Sequence, residues 1–125
     1  MSLPPYLPRR ASQRAMQPPG LPPGDLAWAR DDALALLTAL EGTPIAVLQA
    51  DAYVLPYGQQ EVIHTGRRVS YFYQLGERAS DFARRSRQSA AEFINAGASD
   101  ELFVLIFSDQ DDAEAGHGTA KVRAG

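Results

Sequence analysis

Residues 70–97 constrain the fold of this chain more than any other segment, because they join a strand-like aromatic cluster to an amphipathic helix through a short turn. The predicted helix covers residues 80–96, and its apolar residues recur at three- and four-residue spacing. The run Leu102–Phe107 follows closely and has no polar face, which predicts a central strand buried on both sides. Together these features predict helices packed on a sheet, which is an α+β domain.

The composition suits one compact domain and excludes several kinds of site. The chain has 125 residues, of which 45% are hydrophobic, and its net charge of −3 disfavours a dedicated nucleic-acid binder. It contains no cysteine, which excludes disulfides, thiolate zinc sites and cysteine nucleophiles. No apolar run reaches the roughly 18 residues of a membrane span, and no apolar core of a secretory signal follows the N-terminal arginines. We therefore expect a cytoplasmic protein with no membrane partner.

Proline content separates the N-terminal segment from the rest of the chain. Seven of the nine prolines lie in residues 1–23, and each removes a backbone donor and restricts the residue before it. We predict a flexible arm at 1–23, a folded domain at 24–109 and an acidic, glycine- and alanine-rich flexible tail at 110–125. The arm is either a loose segment or a proline-rich ligand for another module.

The remaining elements follow from local pattern. A first helix is predicted over residues 30–41, ending before Gly42. Strands are predicted at 45–48 and 52–55, around a polar break, and at 61–65 and 69–73, which form a hairpin around Gly66. The predicted order is α-β-β-β-α-β, with two helices packed on a small, mostly antiparallel sheet.

The sequence contains no recognisable set of catalytic or metal-binding residues. Its two histidines are His64 and His117, and Glu61 and His64 would point to opposite faces of a strand. Three or four converging metal ligands are not visible, and no nucleophile elbow, P-loop or dinucleotide motif occurs. We expect no enzymatic activity, metal or cofactor. The enzymatic alternative centres on His64, with Asp51 or Glu61 brought close by the hairpin.

Arginines on the second predicted helix provide the best case for an alternative function, a nucleic-acid-binding accessory module. Arg84, Arg85 and Arg87 are expected to project mainly outward, near the aromatic residues 71–73. Such residues can hold phosphates and stack bases. A solvated helix face, or pairing with an acidic protein surface, explains the same residues. Nucleic acid is the less favoured partner because the chain is acidic overall.

Asp51 and three tyrosines are the first candidates for contacts with a partner protein. Asp51 interrupts a strand, where its carboxylate either caps backbone donors or faces a partner. Aromatic side chains supply much of the energy of interfaces, which selects Tyr53, Tyr71 and Tyr73. The alternative is that the tyrosines complete the core. The three helix arginines are second candidates, expected to affect the association rate more than the total affinity.

Several segments resemble, in matching order, the immunity protein 40 family, whose members accompany bacterial polymorphic toxins. Residues 25–34, DLAWARDDAL, the strand at 45–48 and then Asp51 are similar to the opening of that family. Residues 76–82, GERASDF, and the end of the second helix at 92–94 resemble its second half, and residues 102–105 resemble its closing strand.

The resemblance covers about residues 25–108 and departs from the family pattern in two places. The family has Gly-Gly-Asp after its first strand, where this chain has Gln49, Ala50 and Asp51. It also has a Trp before the second helix, where this chain has the cluster at 71–73. The resemblance implies an α+β protein that neutralises a cognate toxin domain by direct binding, without catalysis, and it leaves the identity of the toxin open.

Overall fold

The computed structural model describes residues 13–108, which form two helices and a four-stranded sheet. The elements, in chain order, are β1 (Trp28–Ala29), α1 (Arg30–Ala39), β2 (Val47–Val54), β3 (Ile63–Ser70), α2 (Ala79–Asn95) and β4 (Leu102–Phe107). The α+β class is confirmed, although a short strand precedes α1 and two strands separate the helices. No helix in residues 13–108 is long and apolar enough to cross a bilayer.

The sheet has the strand order β1-β4-β2-β3, and each neighbouring pair is antiparallel. The central position predicted for Leu102–Phe107 is therefore confirmed. On the side that faces the helices, Phe103 and Leu105 are buried beside Trp28 and Phe82. On the other side, Val104 belongs to a smaller apolar cluster. A strand with apolar residues on both faces suits this interior position.

Residues 63–70 form one continuous strand, so the predicted hairpin around Gly66 is wrong. Asp51 pairs with Arg68 and Tyr53 with His64, and the register shifts between these two pairs. Residues 65–67 thus oppose a single residue of β2, which makes a β-bulge. Gly66 lies in this bulge with a φ of +92°. Turns and bulges both use glycine at positive φ, which is why the local pattern fitted either structure.

Residues 13–23 pack against the domain, so the folded part begins before the predicted boundary at residue 24. Met16 and Ala27 exchange backbone hydrogen bonds of 2.7 and 2.8 Å, and the Val62 N–H donates to the Pro19 carbonyl at 2.8 Å. Gly20 approaches the Val62 backbone so closely that a Cβ would clash. Proline lacks a donor but keeps its carbonyl acceptor, and this acceptor secures the segment. Residues 1–12 and the predicted tail lie outside the described residues.

Candidate functional site

The face of the sheet turned away from the helices, called here the outer face, concentrates polar groups at its centre. Paired residues on adjacent antiparallel strands share a face, and on this face Asp51 lies between Arg68 of β3 and Val104 of β4. The other outer-face residues of these strands are Gln49, Tyr53, His64, Ser70, Leu102 and Ile106. The N-terminal segment covers one end of the face, where Leu21 packs against Tyr53 and Val62.

Asp51 is the centre of a hydrogen-bond network on the outer face. Its side chain accepts hydrogen bonds from Arg68 Nε, from His64 Nε2 at 2.8 Å and from Gln49 Nε2 at 2.8 Å. Burial alone would raise the pKa of Asp51, but these hydrogen bonds outweigh it and lower the pKa below its ordinary 3.8. Asp51 is therefore ionised at neutral pH and is not available as a general acid.

His64 joins this network to the bulge of β3. The Gly66 N–H donates to His64 Nδ1 at 2.9 Å, so Nδ1 is the acceptor and Nε2 carries the proton that is donated to Asp51. The Tyr53 ring meets the imidazole edge-on, with 5.0 Å between the ring centroids. Because both nitrogens already bond within the fold, His64 keeps no free lone pair for the base that the enzymatic alternative needs.

The pairing of His64 with Asp51 brings together two of the residues named in the enzymatic alternative, whereas Glu61 is exposed. Burial raises the pKa of Tyr53, Tyr71 and Tyr73, so these phenols stay protonated at neutral pH. Within residues 13–108, no group of three or more His, Asp or Glu side chains could hold a metal ion.

The tyrosines proposed as partner contacts lie mainly inside the domain. Tyr53 and Tyr71 are buried, on the outer side and the helix side of the sheet respectively. Tyr73 is half-buried, and its ring packs against Phe82 with 4.3 Å between the centroids. These rings offer little free surface in the present conformation. Their role as contacts stays a prediction.

The three candidate arginines of α2 occupy three different environments. Arg84 is exposed and pairs with Asp81 at 2.8 Å. Arg85 is bound within the fold by Glu77. Arg87 is buried and donates to the carbonyl groups of Thr43 and Ile45 at 3.0 and 2.7 Å, so the prediction that it projects outward is wrong. A continuous basic surface of three free arginines is absent from this helix.

Sequence reasoning missed the structural importance of Arg67 and Arg68, because it placed them in a turn. Arg68 donates to Asp51 on the outer face. Arg67 points to the helix side, where it donates to Glu101 Oε1 at 2.6 Å and lies 4.3 Å from the centre of the Phe93 ring. If residues 63–70 had been recognised as one strand, the alternation of side chains would have placed Arg67 and Arg68 on opposite faces of the sheet.

Phe72, rather than a tyrosine, is the exposed aromatic residue of the 71–73 cluster. Its side chain is 69% exposed, and Leu75 in the following turn is fully exposed. The alternation of faces was visible in the sequence, but the sequence did not say which face α2 would cover. Phe72 was therefore missed as a candidate.

No family model, curated protein or solved structure matches this chain. Its function is therefore inferred from the chemistry of its own residues and from the resemblance described above.

Proposed function

We propose that this protein is a non-catalytic immunity protein that neutralises a co-produced bacterial toxin in the cytoplasm by binding it directly. The resemblance of residues 25–108 to the immunity protein 40 family supports a toxin domain as the partner. The observation that carries the binding role is the hydrogen-bonded ion pair between Arg68 and Asp51 at the centre of the outer face. The helices pack on the opposite side of the sheet, and the N-terminal segment covers only one end of the outer face.

The ion pair presents a fixed cation at the surface. The Arg68 side chain is 56% exposed, while its partner Asp51 is only 4% exposed. Arginine is enriched at protein interfaces, and a side chain that is already held in place loses less conformational entropy when a partner binds. Partly exposed Leu102 and Ile106 on the same face add apolar area beside the charge. This mixture is typical of protein-binding surfaces.

The polar groups of the outer face support binding better than catalysis. Asp51 is held ionised by three donors, and His64 uses both of its nitrogens within the fold. A general acid or base must exchange a proton with a substrate, and neither group is free to do so. The same network fixes the geometry of the face, which benefits a binding surface.

The proposal is tested with the toxin domain encoded beside this chain. We expect the wild-type protein to bind that domain and to rescue cells that express it. Arg68→Glu should weaken binding by about tenfold or more, because a reversed charge at the centre of an interface costs at least 1–2 kcal/mol. The matched control is Arg84→Glu, which reverses an exposed charge on the helix layer.

Comparing the two variants distinguishes a loss of affinity specific to the outer face from a general effect of reversing a surface charge. Equal losses of affinity in Arg68→Glu and Arg84→Glu would contradict the outer face as the binding surface. If the wild-type protein neither binds the neighbouring toxin domain nor protects cells against it, the immunity function itself is wrong.

A further inference from the structure

The turn between β3 and α2 exposes two large apolar side chains. Phe72 is 69% exposed and Leu75 is fully exposed, and we call residues 72–77 the anchor loop. Single exposed apolar residues are common in proteins, so exposure alone carries no functional meaning. What distinguishes this loop is how firmly its backbone is held.

One guanidinium group fixes both ends of the anchor loop. Arg85 donates to the Phe72 carbonyl at 2.7 Å and to the two carboxylate oxygens of Glu77, each at 2.8 Å. Bidentate arginine–carboxylate pairs are among the more directional hydrogen-bonded contacts in proteins. The carbonyl at the start of the loop and the carboxylate at its end are thus joined through α2.

Hydrogen bonds inside the loop fix the turn as well. The Glu77 N–H donates to the Gln74 carbonyl at 2.9 Å, and the Gln74 N–H donates to Glu77 Oε1 at 3.0 Å. Gly76 has a φ of +83° at the third position of this turn, which is typical of a type II turn. Leu75 therefore projects from the tip of a turn whose backbone is closed by hydrogen bonds.

The interior side of the loop is packed, whereas Phe72 and Leu75 on its exterior side are exposed among the described residues. Tyr73 packs on Phe82, and the Arg85 guanidinium lies 5.3 Å from the same ring. Ser70 lies on the outer face, where it contacts Gln49. Phe72 follows two residues later and is exposed, whereas Tyr71 between them is buried, so Phe72 continues the column of Arg68 and Ser70. The anchor loop is thus an extension of the outer face.

We propose that the anchor loop is the energetic centre of the partner interface, and that Phe72 and Leu75 insert into an apolar pocket on the toxin domain. This inference rests on the proposed immunity function. Interfaces draw most of their energy from a few large side chains that fill pockets, and a loop ordered before binding avoids the entropic cost of ordering. Two protruding apolar side chains require a concave apolar site.

The charges around the loop indicate the rim of that pocket. Glu77 is neutralised by Arg85, and Arg68 on the adjoining face is paired with Asp51, whereas the neighbouring Arg78 is exposed. The exposed cation of Arg78, beside two apolar side chains, complements an apolar pocket bordered by carboxylates. A net charge of −3 disfavours an anionic lipid surface.

The test measures the affinity of the Phe72→Ala/Leu75→Ala double variant for the toxin domain encoded beside this chain. We expect at least about a hundredfold loss of affinity, as for central interface residues. The matched control is Tyr57→Ala, because Tyr57 is also fully exposed but lies in the turn at the opposite end of β3. The control should change affinity by less than about threefold, and urea unfolding should find both proteins as stable as the wild type.

A second variant, Glu77→Gln, tests whether the rigidity of the loop matters. It keeps the size of the side chain but removes the charge that binds Arg85. We expect faster amide exchange at residues 73–77 and about three- to tenfold weaker binding, because the loop must then be ordered on association. Faster exchange with unchanged affinity would show that the clamp has no part in binding.

Each remaining outcome decides between specific alternatives. Wild-type affinity in the double variant overturns the anchor loop and leaves the immunity function standing, whereas absence of wild-type binding removes both. If the wild-type protein binds phosphatidylglycerol vesicles and the double variant does not, the loop is a membrane anchor. If sedimentation finds a dimer that the double variant loses, the occupant is a second copy. Either of these results overturns the proposal.

Discussion

Arg67 and Arg68 are neighbours in the sequence, yet they form ion pairs on opposite faces of the sheet. Arg67 pairs with Glu101, at 2.6 Å, on the side that carries the helices, and Arg68 pairs with Asp51 on the outer face. Successive side chains of a strand point to opposite sides. One dipeptide therefore ties the edge strand β3 to Asp51 in β2 and to Glu101, the residue immediately before β4.

Gly97→Ala is expected to break the pair on the helix side. A Cβ at this position would clash with Glu101 Oε1 and Arg67 Nη1, and Glu101 is buried. Separating the pair leaves a buried carboxylate without its partner, so the free energy of unfolding should fall by about 1–3 kcal/mol. Urea unfolding measures the change.

The same substitution in a Glu101→Gln background checks the mechanism. If the clash acts through the ion pair, Gly97→Ala should cost less in this background than in the wild type, because interacting residues are not additive. An equal loss of unfolding free energy in both backgrounds would show that Gly97→Ala does not act through the ion pair.

The lowered pKa of Asp51 makes stability depend on pH in a defined direction. Burial raises this pKa, but the hydrogen bonds from Arg68, His64 and Gln49 have the larger, opposite effect. The pKa of Asp51 in the folded state therefore lies below its ordinary 3.8. A depressed folded pKa stabilises the protein above the unfolded pKa, and this stability is lost as the pH falls through the folded value. Asp51→Asn should therefore be less stable than the wild type at neutral pH, and should lose less stability on acidification.

Unfolding free energies from about pH 6 down to about pH 2 test this expectation. Asp100→Asn, which removes an exposed carboxylate, is the control and should follow the wild-type curve. If the Asp51→Asn curve also runs parallel to that of the wild type, Asp51 does not contribute the predicted acid sensitivity.

Arg87 and Arg84 should differ sharply in their effect on stability. Arg87→Ala removes the donors to the Thr43 and Ile45 carbonyls, so it should lower the free energy of unfolding by about 1–3 kcal/mol. Arg84→Ala removes only an exposed pair with Asp81, which should change it by less than about 0.5 kcal/mol. Equal effects in thermal or urea unfolding would contradict the buried placement of Arg87.

The same arginines decide the nucleic-acid alternative. Because Arg85 and Arg87 bond within the fold, we expect no detectable binding of the wild-type protein to single- or double-stranded DNA or RNA, even at low salt, where phosphate contacts are strongest. Binding that falls steeply with salt and is lost in Arg84→Glu/Arg85→Glu would revive that function.

Gly20→Ala should weaken the packing of the N-terminal segment against Val62, just before β3. Gly20 and Gly58 both have positive φ, at +101° and +78°, but only the first lies against the backbone of Val62, whereas Gly58 has open space around it. Alanine therefore costs backbone strain of about 1 kcal/mol at both sites, and a clash at Gly20 alone. We expect Gly20→Ala to be clearly the less stable variant, with faster amide exchange at Val62; equal stability would contradict the close packing.

The elements with strong local patterns could be predicted from the sequence almost to the residue. The run Leu102–Phe107 is a strand over the predicted residues, and the second helix, predicted at 80–96, is Ala79–Asn95. Both have a periodicity set by neighbouring residues. The bulge at Gly66 could not be distinguished from a turn, because the choice depends on pairing with the distant Asp51 and Tyr53.

The site was harder to predict because its members meet only in the folded chain. Arg87 lies four residues after Ala83 and three before Ala90, and both alanines are buried. Helical spacing therefore favours the buried face of α2 for Arg87, whereas its charge favours the surface. The carbonyls that satisfy it belong to residues more than 40 positions away. Likewise, alternation divided the 71–73 cluster correctly, but only the position of α2 decides that Phe72 is the exposed member.

The bulge in β3 has a consequence for how copies of this protein can meet. It interrupts the regular row of outward backbone groups, and the Gly66 and Arg67 N–H groups are already taken by the side chains of His64 and Thr65. At the opposite edge of the sheet, the backbone N–H and C=O groups of Ala27, next to β1, are hydrogen-bonded to Met16. Within residues 13–108, these contacts interrupt the row of backbone groups that each border could offer to a further strand. Edge-to-edge pairing of chains, which extends a sheet into a fibril, is thereby disfavoured at these positions.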